Sequence, residues 1–236
     1  MTAFSRPYFE MKNHAGVDLS CQSPALFIAR SDMLDTLSSL EQNMCRFSDT
    51  IERVDEKTVG ELVPALKCGD DGIVAGLLDQ TARRLDSEAL QQGYRAIVKE
   101  HGGTCETKSR VTKIERGGAI WSLTTEAGDQ YGAPIVINAA GAWCDEIARL
   151  AGVKPLGLLP LRRTIISFAP LPGQEVRNWP FTKTAVDDFY MLPESGKLLA
   201  SPVDEVASNA MDAQPEGYDI ALAASKVEEY TSIPIR

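Results

Sequence analysis

Two adjacent arginines, Arg162 and Arg163, are the residues of this sequence whose chemistry is easiest to define. A guanidinium can hold a carboxylate through two parallel hydrogen bonds, so either arginine could bind an organic acid. Both lie in LPLRRTIISFAP, a segment that predicts a strand over 159–170. Neighbours on a strand point to opposite faces, so only one arginine can enter a given pocket. Periodicity does not choose between them, and a surface ion pair stays an alternative.

A second candidate is the small-residue stretch of IVINAAGAW, residues 135–143, where a β-branched run ends in Ala139, Ala140 and Gly141. In open α/β sheets, ligands bind just beyond the carboxyl ends of the strands. These three residues have no side chain large enough to obstruct a ligand at such a strand end. The alternative is that Gly141 only ends the strand and the alanines pack under a helix.

Composition argues against several other functions. Lys and Arg total 24 against 33 Asp and Glu, and no basic cluster suggests a nucleic acid or an anionic membrane surface as partner. The two histidines, His14 and His101, are far apart, which argues against a metal site or a Ser-His-Asp triad. Five scattered cysteines fit reduced thiols in the cytoplasm. No apolar run is long enough to span a bilayer.

The elements that would position these residues indicate a mixed α/β fold, with helices and strands interleaved. We expect helices near 4–13, 33–47, 86–101, 143–151 and 215–230. We expect strands at 24–30 and 71–79, a β-meander between 104 and 141, and a hairpin over 187–202 that turns at 193–196. In the helix near 86–101, the predicted buried stripe is Leu90, Tyr94, Ile97 and Val98.

The ordered combination of these segments resembles a known family. The stretch from His101 to Arg163, with its Gly-Gly helix end, meander and Asn-Ala-Ala-Gly-Ala-Trp strand end, is similar to the FAD-dependent amino-acid oxidases and dehydrogenases. That family includes D-amino acid, glycine and sarcosine oxidases. The likeness continues through WPFTKTAVDDFYMLPESGKLLASPVDE and is greatest for the bacterial D-arginine dehydrogenase branch. It implies an incomplete Rossmann-like FAD domain with a meander, plus a substrate domain of mixed or antiparallel sheet.

The resemblance implies a cofactor and places residues around it. Ala139, Ala140 and Gly141 would lie against the phosphates or ribityl chain of FAD, and Val111 would touch the adenine through its backbone. For Val111, ordinary strand packing is compatible with that contact. The GxGxxG turn that holds the pyrophosphate in such proteins does not occur in these 236 residues. The chain is therefore expected to be an internal fragment that also lacks the C-terminal glycine-rich FAD loop.

The resemblance also implies substrate-binding residues. It selects Arg163 over Arg162 and adds Tyr190, whose hydroxyl would bind a carboxylate or close the pocket, and Phe181 near the substrate side chain. A half-buried strand tyrosine is the plain alternative for Tyr190. The acidic residue that binds a substrate guanidinium in the D-arginine branch has no counterpart in residues 22–25. A neutral or differently charged amine is therefore an open alternative to a cationic D-amino acid.

Together these expectations define three functional hypotheses. The first is a flavoenzyme that passes a hydride from an amine CH–NH group to FAD, with 1–20 and 65–158 as cofactor domain and 21–64 and 159–236 as substrate domain. The second is a non-catalytic remnant that binds no FAD and at most self-associates through uncovered sheet edges. The third is a relative acting on a 2-hydroxy acid or glycerol phosphate. No catalytic base can be named from spacing.

Overall fold

The computed structural model describes residues 2–13 and 16–235, with side chains from residue 5 onward; His14 lies outside this part. Its helices are α1 Thr2–Phe9, α2 Leu34–Cys45, α3 Glu56–Leu62, α4 Ser87–Glu100, α5 Cys144–Leu150 and α6 Gly217–Tyr230. Its strands are β1 Ser20–Gln22, β2 Ala25–Arg30, β3 Ile51–Asp55, β4 Ile73–Asp79, β5 Arg83–Leu85, β6 Val111–Gly117, β7 Ile120–Thr125, β8 Gln130–Ala133, β9 Leu161–Arg162, β10 Ile166–Phe168, β11 Phe181–Thr184, β12 Tyr190–Glu194, β13 Lys197–Ser201 and β14 Val206–Ala207. The mixed α/β class is confirmed.

The described residues divide into two compact units. The first contains the chain up to Ala96, then Arg163–Asp204, and the chain from Pro215 onward. The second contains Ile97–Arg162 and Glu205–Gln214. The predicted cofactor and substrate domains were defined by the ligand that each would bind, and the two compact units are defined by packing alone. The predicted division therefore stays a prediction.

A seven-stranded sheet organises the first unit, in the order β10-β13-β12-β11-β2-β4-β3. Its pairs are antiparallel except β11 with β2, which run parallel. Apolar residues of β2 and β4, including Leu26, Ile28 and Leu77, are fully buried together with Leu37 of α2 and Val227 of α6. Burying each such side chain stabilises the fold by about 1.5–3 kcal/mol, so this core holds the sheet in place.

Gly76 of β4 is packed closely against both the neighbouring strand β2 and the helix α3. A Cβ atom there would lie 2.9 Å from the carbonyl oxygen of Phe27 and 3.2 Å from Cγ2 of Val59 on α3. Glycine is therefore the residue that lets α3 pack directly on the strand.

The β12–β13 hairpin confirms the hairpin predicted over 187–202. Its register pairs Glu194 with Lys197, so Ser195 and Gly196 form a two-residue turn. Their φ values of +50° and +80° are those of a type I′ turn, whose twist matches that of the flanking strands.

The second unit contains the predicted β-meander, confirmed as the three-stranded sheet β6-β7-β8. The same unit contains a second, two-stranded sheet, in which the short strands β9 and β14 pair antiparallel. Asp145, in the first turn of α5, accepts hydrogen bonds from three consecutive backbone amides: Leu156 at 3.1 Å, Gly157 at 3.0 Å and Leu158 at 3.1 Å. One carboxylate thus fixes the backbone of an apolar loop that is itself exposed.

Two predicted strands are wrong. Residues 135–138 form no strand, and Ile135 and Ile137 are 74% and 85% exposed, because no described segment pairs with them. The single strand expected over 159–170 is instead β9 and β10. It breaks at Thr164, whose backbone amide donates to the Asp204 carboxylate at 2.8 Å rather than to a neighbouring strand.

The buried stripe predicted for α4 is also wrong in part. Tyr94 and Val98 are exposed, whereas Ala89 and Gly93 are the buried residues. Gly93 faces Asn13, whose Cβ would lie 3.1 Å from an added Cβ, so small residues rather than large ones fit this contact. None of the described helices has both the length and the apolar character required to cross a membrane.

Candidate functional site

Two of the predicted cofactor residues, Val111 and Ala140, line one cavity of about 840 Å³ in the second unit. Val111 begins β6, and Ala140 precedes the turn that leads into α5. The other lining residues come from the β6–β7 end of the meander and from α5; they are Arg110, Thr112, Glu126, Trp143, Glu146, Ile147, Arg149 and Leu150. The cavity therefore has apolar walls with two arginines and two glutamates, which balance in formal charge.

Ala139 and Gly141 are the sequence neighbours of Ala140, and both are exposed. Gly141 has φ +56°, and a Cβ there would meet nothing within 4 Å. The turn is fixed by Asn138, whose Nδ2 donates to the Cys144 carbonyl at 2.8 Å and whose Oδ1 accepts from the Ala140 amide at 3.3 Å. A local side-chain bridge, rather than a sheet, holds the small-residue segment here.

Phe181 and Tyr190, the predicted substrate residues of the first unit, come together. Phe181 begins β11 and Tyr190 begins β12, and the antiparallel register pairs Lys183 with Tyr190. Residues two apart share a strand face, so Phe181, Lys183 and Tyr190 lie on one face of the sheet. The two rings are 5.6 Å apart between centroids and tilted by 36°, and both side chains are half-buried.

Phe181 also lines a smaller cavity of about 200 Å³ in the same unit. Its other lining residues are mostly apolar or small: Ser23, Ala25, Ala82, Arg83, Arg84, Leu192 and Pro193. The guanidinium of Arg84 donates to the Pro193 carbonyl at 2.8 Å and pairs with the Glu194 carboxylate. The charge of Arg84 is therefore already matched by a carboxylate of the chain.

Arg163, the third predicted substrate residue, is exposed. Its Nε donates to the main-chain oxygen of Asp204 at 3.4 Å, a long hydrogen bond. Arg162 ends β9 and belongs to the second unit. The two adjacent arginines thus fall in different units of the fold.

A partly buried network that the sequence did not reveal supports the hairpin carrying Tyr190. The Asp188 carboxylate accepts from Thr184 Oγ1 at 2.7 Å, Lys226 Nζ at 2.7 Å and Tyr230 Oη at 3.2 Å. The Arg30 guanidinium lies 4.3 Å from the centre of the Tyr230 ring. These contacts join α6 to the β11–β12 hairpin. The only available sequence signal was the acidic pair preceding Phe189 and Tyr190.

The network shifts the pKa of each group in the direction that favours the protonation state seen in its hydrogen bonds: a charged carboxylate, a charged lysine and a neutral tyrosine. Burial alone raises the pKa of the Asp188 carboxyl, but hydrogen bonds from Lys226 and Thr184 and the lysine charge outweigh it, so the pKa is lowered. For Lys226, burial lowers the pKa, but the hydrogen bonds and charges of Asp188 and Glu229 outweigh this effect, so the pKa is raised overall. Burial and the nearby carboxylate raise the pKa of Tyr230. At neutral pH, Asp188 and Lys226 therefore form an ionised structural anchor, and Tyr230 is a neutral donor to it.

Within the described residues, no group of three or more His, Cys, Asp or Glu side chains could hold a metal ion. The chain does match a family model described as "FAD dependent oxidoreductase" (DAO) over residues 6–233. It is 23% identical over 159 residues to the uncharacterized oxidoreductase YurR of Bacillus subtilis (strain 168), an alignment covering 66% of this chain and 40% of YurR.

The fold is similar to those of several solved oxidases and dehydrogenases at low sequence identity. The L-alpha-glycerophosphate oxidase of Mycoplasma pneumoniae with FAD bound gives a TM-score of 0.79 at 16% identity, with 98% of this chain and 61% of that one covered. The L-proline dehydrogenase of P. horikoshii gives 0.75 at 16%, covering 98% and 59%. The glycine oxidase of Geobacillus kaustophilus gives 0.70 at 15%, covering 98% and 60%. This chain thus spans about three fifths of each solved structure and two fifths of YurR.

Proposed function

Because this chain belongs to the DAO family of FAD-dependent oxidoreductases, whose model matches residues 6–233, we propose that it serves the oxidation of an amine CH–NH bond. FAD, when bound, is the hydride acceptor in this chemistry. The printed names of two similar structures, a glycine oxidase and an L-proline dehydrogenase, support an amine substrate. The observation that carries the proposal is the Phe181–Tyr190 ring pair on one face of the sheet.

The residues of the second unit fit the adenosine half of FAD. Val111 and Ala140 would hold it in the 840 Å³ cavity, where balanced charges suit an uncharged adenosine. The small side chain of Ala140 leaves space, and the open surroundings of Gly141 permit close approach of the ligand. We assign Ala139 and Gly141 to the adjacent part of the dinucleotide, as the family resemblance suggests.

In the first unit, Arg163 and Tyr190 would bind and orient the substrate carboxylate through the guanidinium and the phenol hydroxyl. Phe181 would form the wall beside the substrate side chain and exclude water from it. The cavity next to Phe181 favours a small uncharged side chain. It measures about 200 Å³, its lining contains no carboxylate to neutralise a cation, and its two arginines, Arg83 and Arg84, are already paired with glutamates of the chain. A D-amino acid with such a side chain is our proposed substrate class.

A glycerol phosphate or 2-hydroxy acid is the second candidate substrate, supported by the similarity to the L-alpha-glycerophosphate oxidase. The two candidates differ in the bond oxidised, CH–NH or CH–OH. Anaerobic addition of glycine, D-alanine, L-proline or glycerol 3-phosphate to the FAD-loaded chain distinguishes them. Bleaching of the flavin absorbance by amines alone supports our proposal, and bleaching by glycerol 3-phosphate alone contradicts it.

Cofactor binding is tested first by the absorbance spectrum of the purified chain and by calorimetric titration with FAD, AMP and FMN. We expect FAD to bind and AMP to compete with it, since both contain adenosine, while FMN does not compete. Ala140→Leu should weaken FAD binding at least about tenfold by occupying space in the cavity, because overpacking of this kind costs about 1–3 kcal/mol and about 1.4 kcal/mol corresponds to a factor of ten. Ala142→Leu, at an exposed neighbouring position, is the matched control. A colourless chain that binds neither FAD nor AMP would establish the non-catalytic alternative.

A further inference from the structure

The turn after β13 holds Val203 in a backbone conformation that branched residues rarely adopt. Its φ is +54°, in the left-handed region where a β-branched side chain crowds the neighbouring carbonyl. The Val203 amide donates to Ser201 Oγ at 3.1 Å. Strain of this kind persists only where surrounding contacts impose it, and it concentrates at positions that serve a site.

The contacts that impose it are made by the next residue, Asp204. Its Oδ1 accepts from the Thr164 amide at 2.8 Å, and its Oδ2 accepts from the Thr164 hydroxyl at 2.9 Å. Thr164 is buried and Asp204 is half-buried, so these bonds are partly shielded from competing water. The main-chain oxygen of Asp204 accepts from Arg163 Nε at 3.4 Å. A single residue therefore contacts the side chain of Arg163 and fixes the backbone immediately after it.

The other end of the turn is tied to Tyr190. Ser201 is the cross-strand partner of Tyr190 in the β12–β13 ladder and is fully buried. The four residues from Ser201 to Asp204 thus connect the backbone position opposite Tyr190 with the residue that holds Arg163. All of these residues belong to the first unit.

We propose that Asp204 is a positioning residue that directs the Arg163 guanidinium relative to Tyr190 through the strained Ser201–Asp204 turn. This inference rests on the proposed function, in which Arg163 and Tyr190 together take the substrate carboxylate. The strain at Val203 is explained because a relaxed turn would place the Asp204 carboxylate elsewhere and release Thr164.

Nuclear magnetic resonance of the ¹⁵N-labelled chain tests the positioning directly. The two readouts are the exchange rate of the Thr164 amide and the Nε–H signal of Arg163. We expect Asp204→Ala to speed the exchange at least about tenfold and to move the Arg163 signal. Asp204→Asn keeps an oxygen that can accept from the Thr164 amide, so it should largely restore slow exchange. The exposed Asp70 of the same unit provides the control, Asp70→Ala.

Titration with acetate separates this proposal from the proposed function. If Arg163 binds carboxylates, its Nε–H signal responds to acetate in the unmodified chain, and Asp204→Ala weakens that response about tenfold. An unmodified chain that ignores acetate argues against the role of Arg163 in substrate binding, while the exchange comparison still decides the role of Asp204. Unchanged Thr164 exchange and an unmoved Arg163 signal in folded Asp204→Ala overturn the positioning proposal.

Should Asp204→Ala fail to fold, Thr164→Val decides, because it removes only the hydroxyl donor to Asp204. The proposal then requires a moved Arg163 Nε–H signal in Thr164→Val and an unmoved one in Asp70→Ala. An unmoved signal in both variants overturns it.

Discussion

At the scale of residues, the role of a side chain in this protein depends on hydrogen-bond partners that are distant in the sequence. Sequence periodicity could not distinguish Arg162 from Arg163, because the feature that separates them is Asp204, forty-one positions beyond Arg163. Asp188 illustrates the same limit. It looks like an ordinary acidic residue in the sequence, yet Lys226 and Tyr230 of α6 bind its carboxylate. Long-range hydrogen bonds leave no local pattern, so such roles emerge only from the structure.

The Asp188 network gives a pH-dependent prediction. The pKa of Asp188 is lowered in the folded state, so its stabilisation is fully present above the unfolded-state pKa of about 3.9 and is lost as pH falls through the folded-state pKa. We expect Asp188→Asn to lower the free energy of unfolding by about 1–2 kcal/mol at neutral pH. The difference from the unmodified chain should shrink below about pH 4.

Urea denaturation followed by circular dichroism across pH 3 to 7 measures this difference, with the range set by the carboxyl pKa. Asp70→Asn, at an exposed position, should leave the stability nearly unchanged at every pH. A stability difference for Asp188→Asn that is constant over the whole range would contradict an ionised anchor.

At the scale of elements, local sequence patterns correctly predicted those helices, strands and turns whose formation depends mainly on local interactions. The hairpin at Ser195–Gly196, the meander and the helix ending at Tyr230 were all predictable, because turn residues and apolar periodicity specify them. The strand predicted at 135–138 was not realised, since a strand also requires a partner whose presence no local pattern reveals. Likewise, nothing local indicates that Asp204 would interrupt the strand expected over 159–170.

The contact between β4 and α3 gives a prediction at this scale. Gly76→Ala places a Cβ 2.9 Å from the Phe27 carbonyl oxygen, a backbone atom that cannot rotate away. Relief requires moving β4 away from β2, and the added Cβ would also crowd Val59 of α3, so we expect a loss of about 1–3 kcal/mol in the free energy of unfolding. Chemical denaturation measures it. Gly117→Ala is the matched strand control, because its Cβ would meet nothing within 4 Å. Equal changes in stability for both variants would contradict the predicted clash at Gly76.

At the scale of the whole molecule, the first unit contains a dense apolar core, and the second exposes several large apolar residues in its loops. Ile135, Ile137, Leu156 and Leu159 are each at least 67% exposed. Apolar segments with unpaired backbone can pair with another chain. The sequence predicts uncovered sheet edges, whereas these exposed apolar residues lie in the loops before and after α5.

Self-association through this surface is therefore a prediction for the whole molecule. We expect Ile137→Asp to lower the average mass measured by sedimentation velocity at high protein concentration. The melting temperature should change little, because the side chain is 85% exposed. Tyr218→Asp, at a residue that is 77% exposed in the first unit, is the control and should leave the mass unchanged. A monodisperse monomer before substitution would remove the basis for this prediction.

The three amides gathered by Asp145 have a consequence for how the second unit responds to a ligand. Asp145 belongs to α5, and Glu146, Ile147, Arg149 and Leu150 of the same helix line the cavity that contains Val111 and Ala140. A ligand that orders α5 also lowers the entropy of the loop at 156–158, since one helix serves both. Ligand binding in the cavity and the order of the loop are then thermodynamically linked. The loop would become more ordered when the ligand binds, although the loop itself does not contact the ligand.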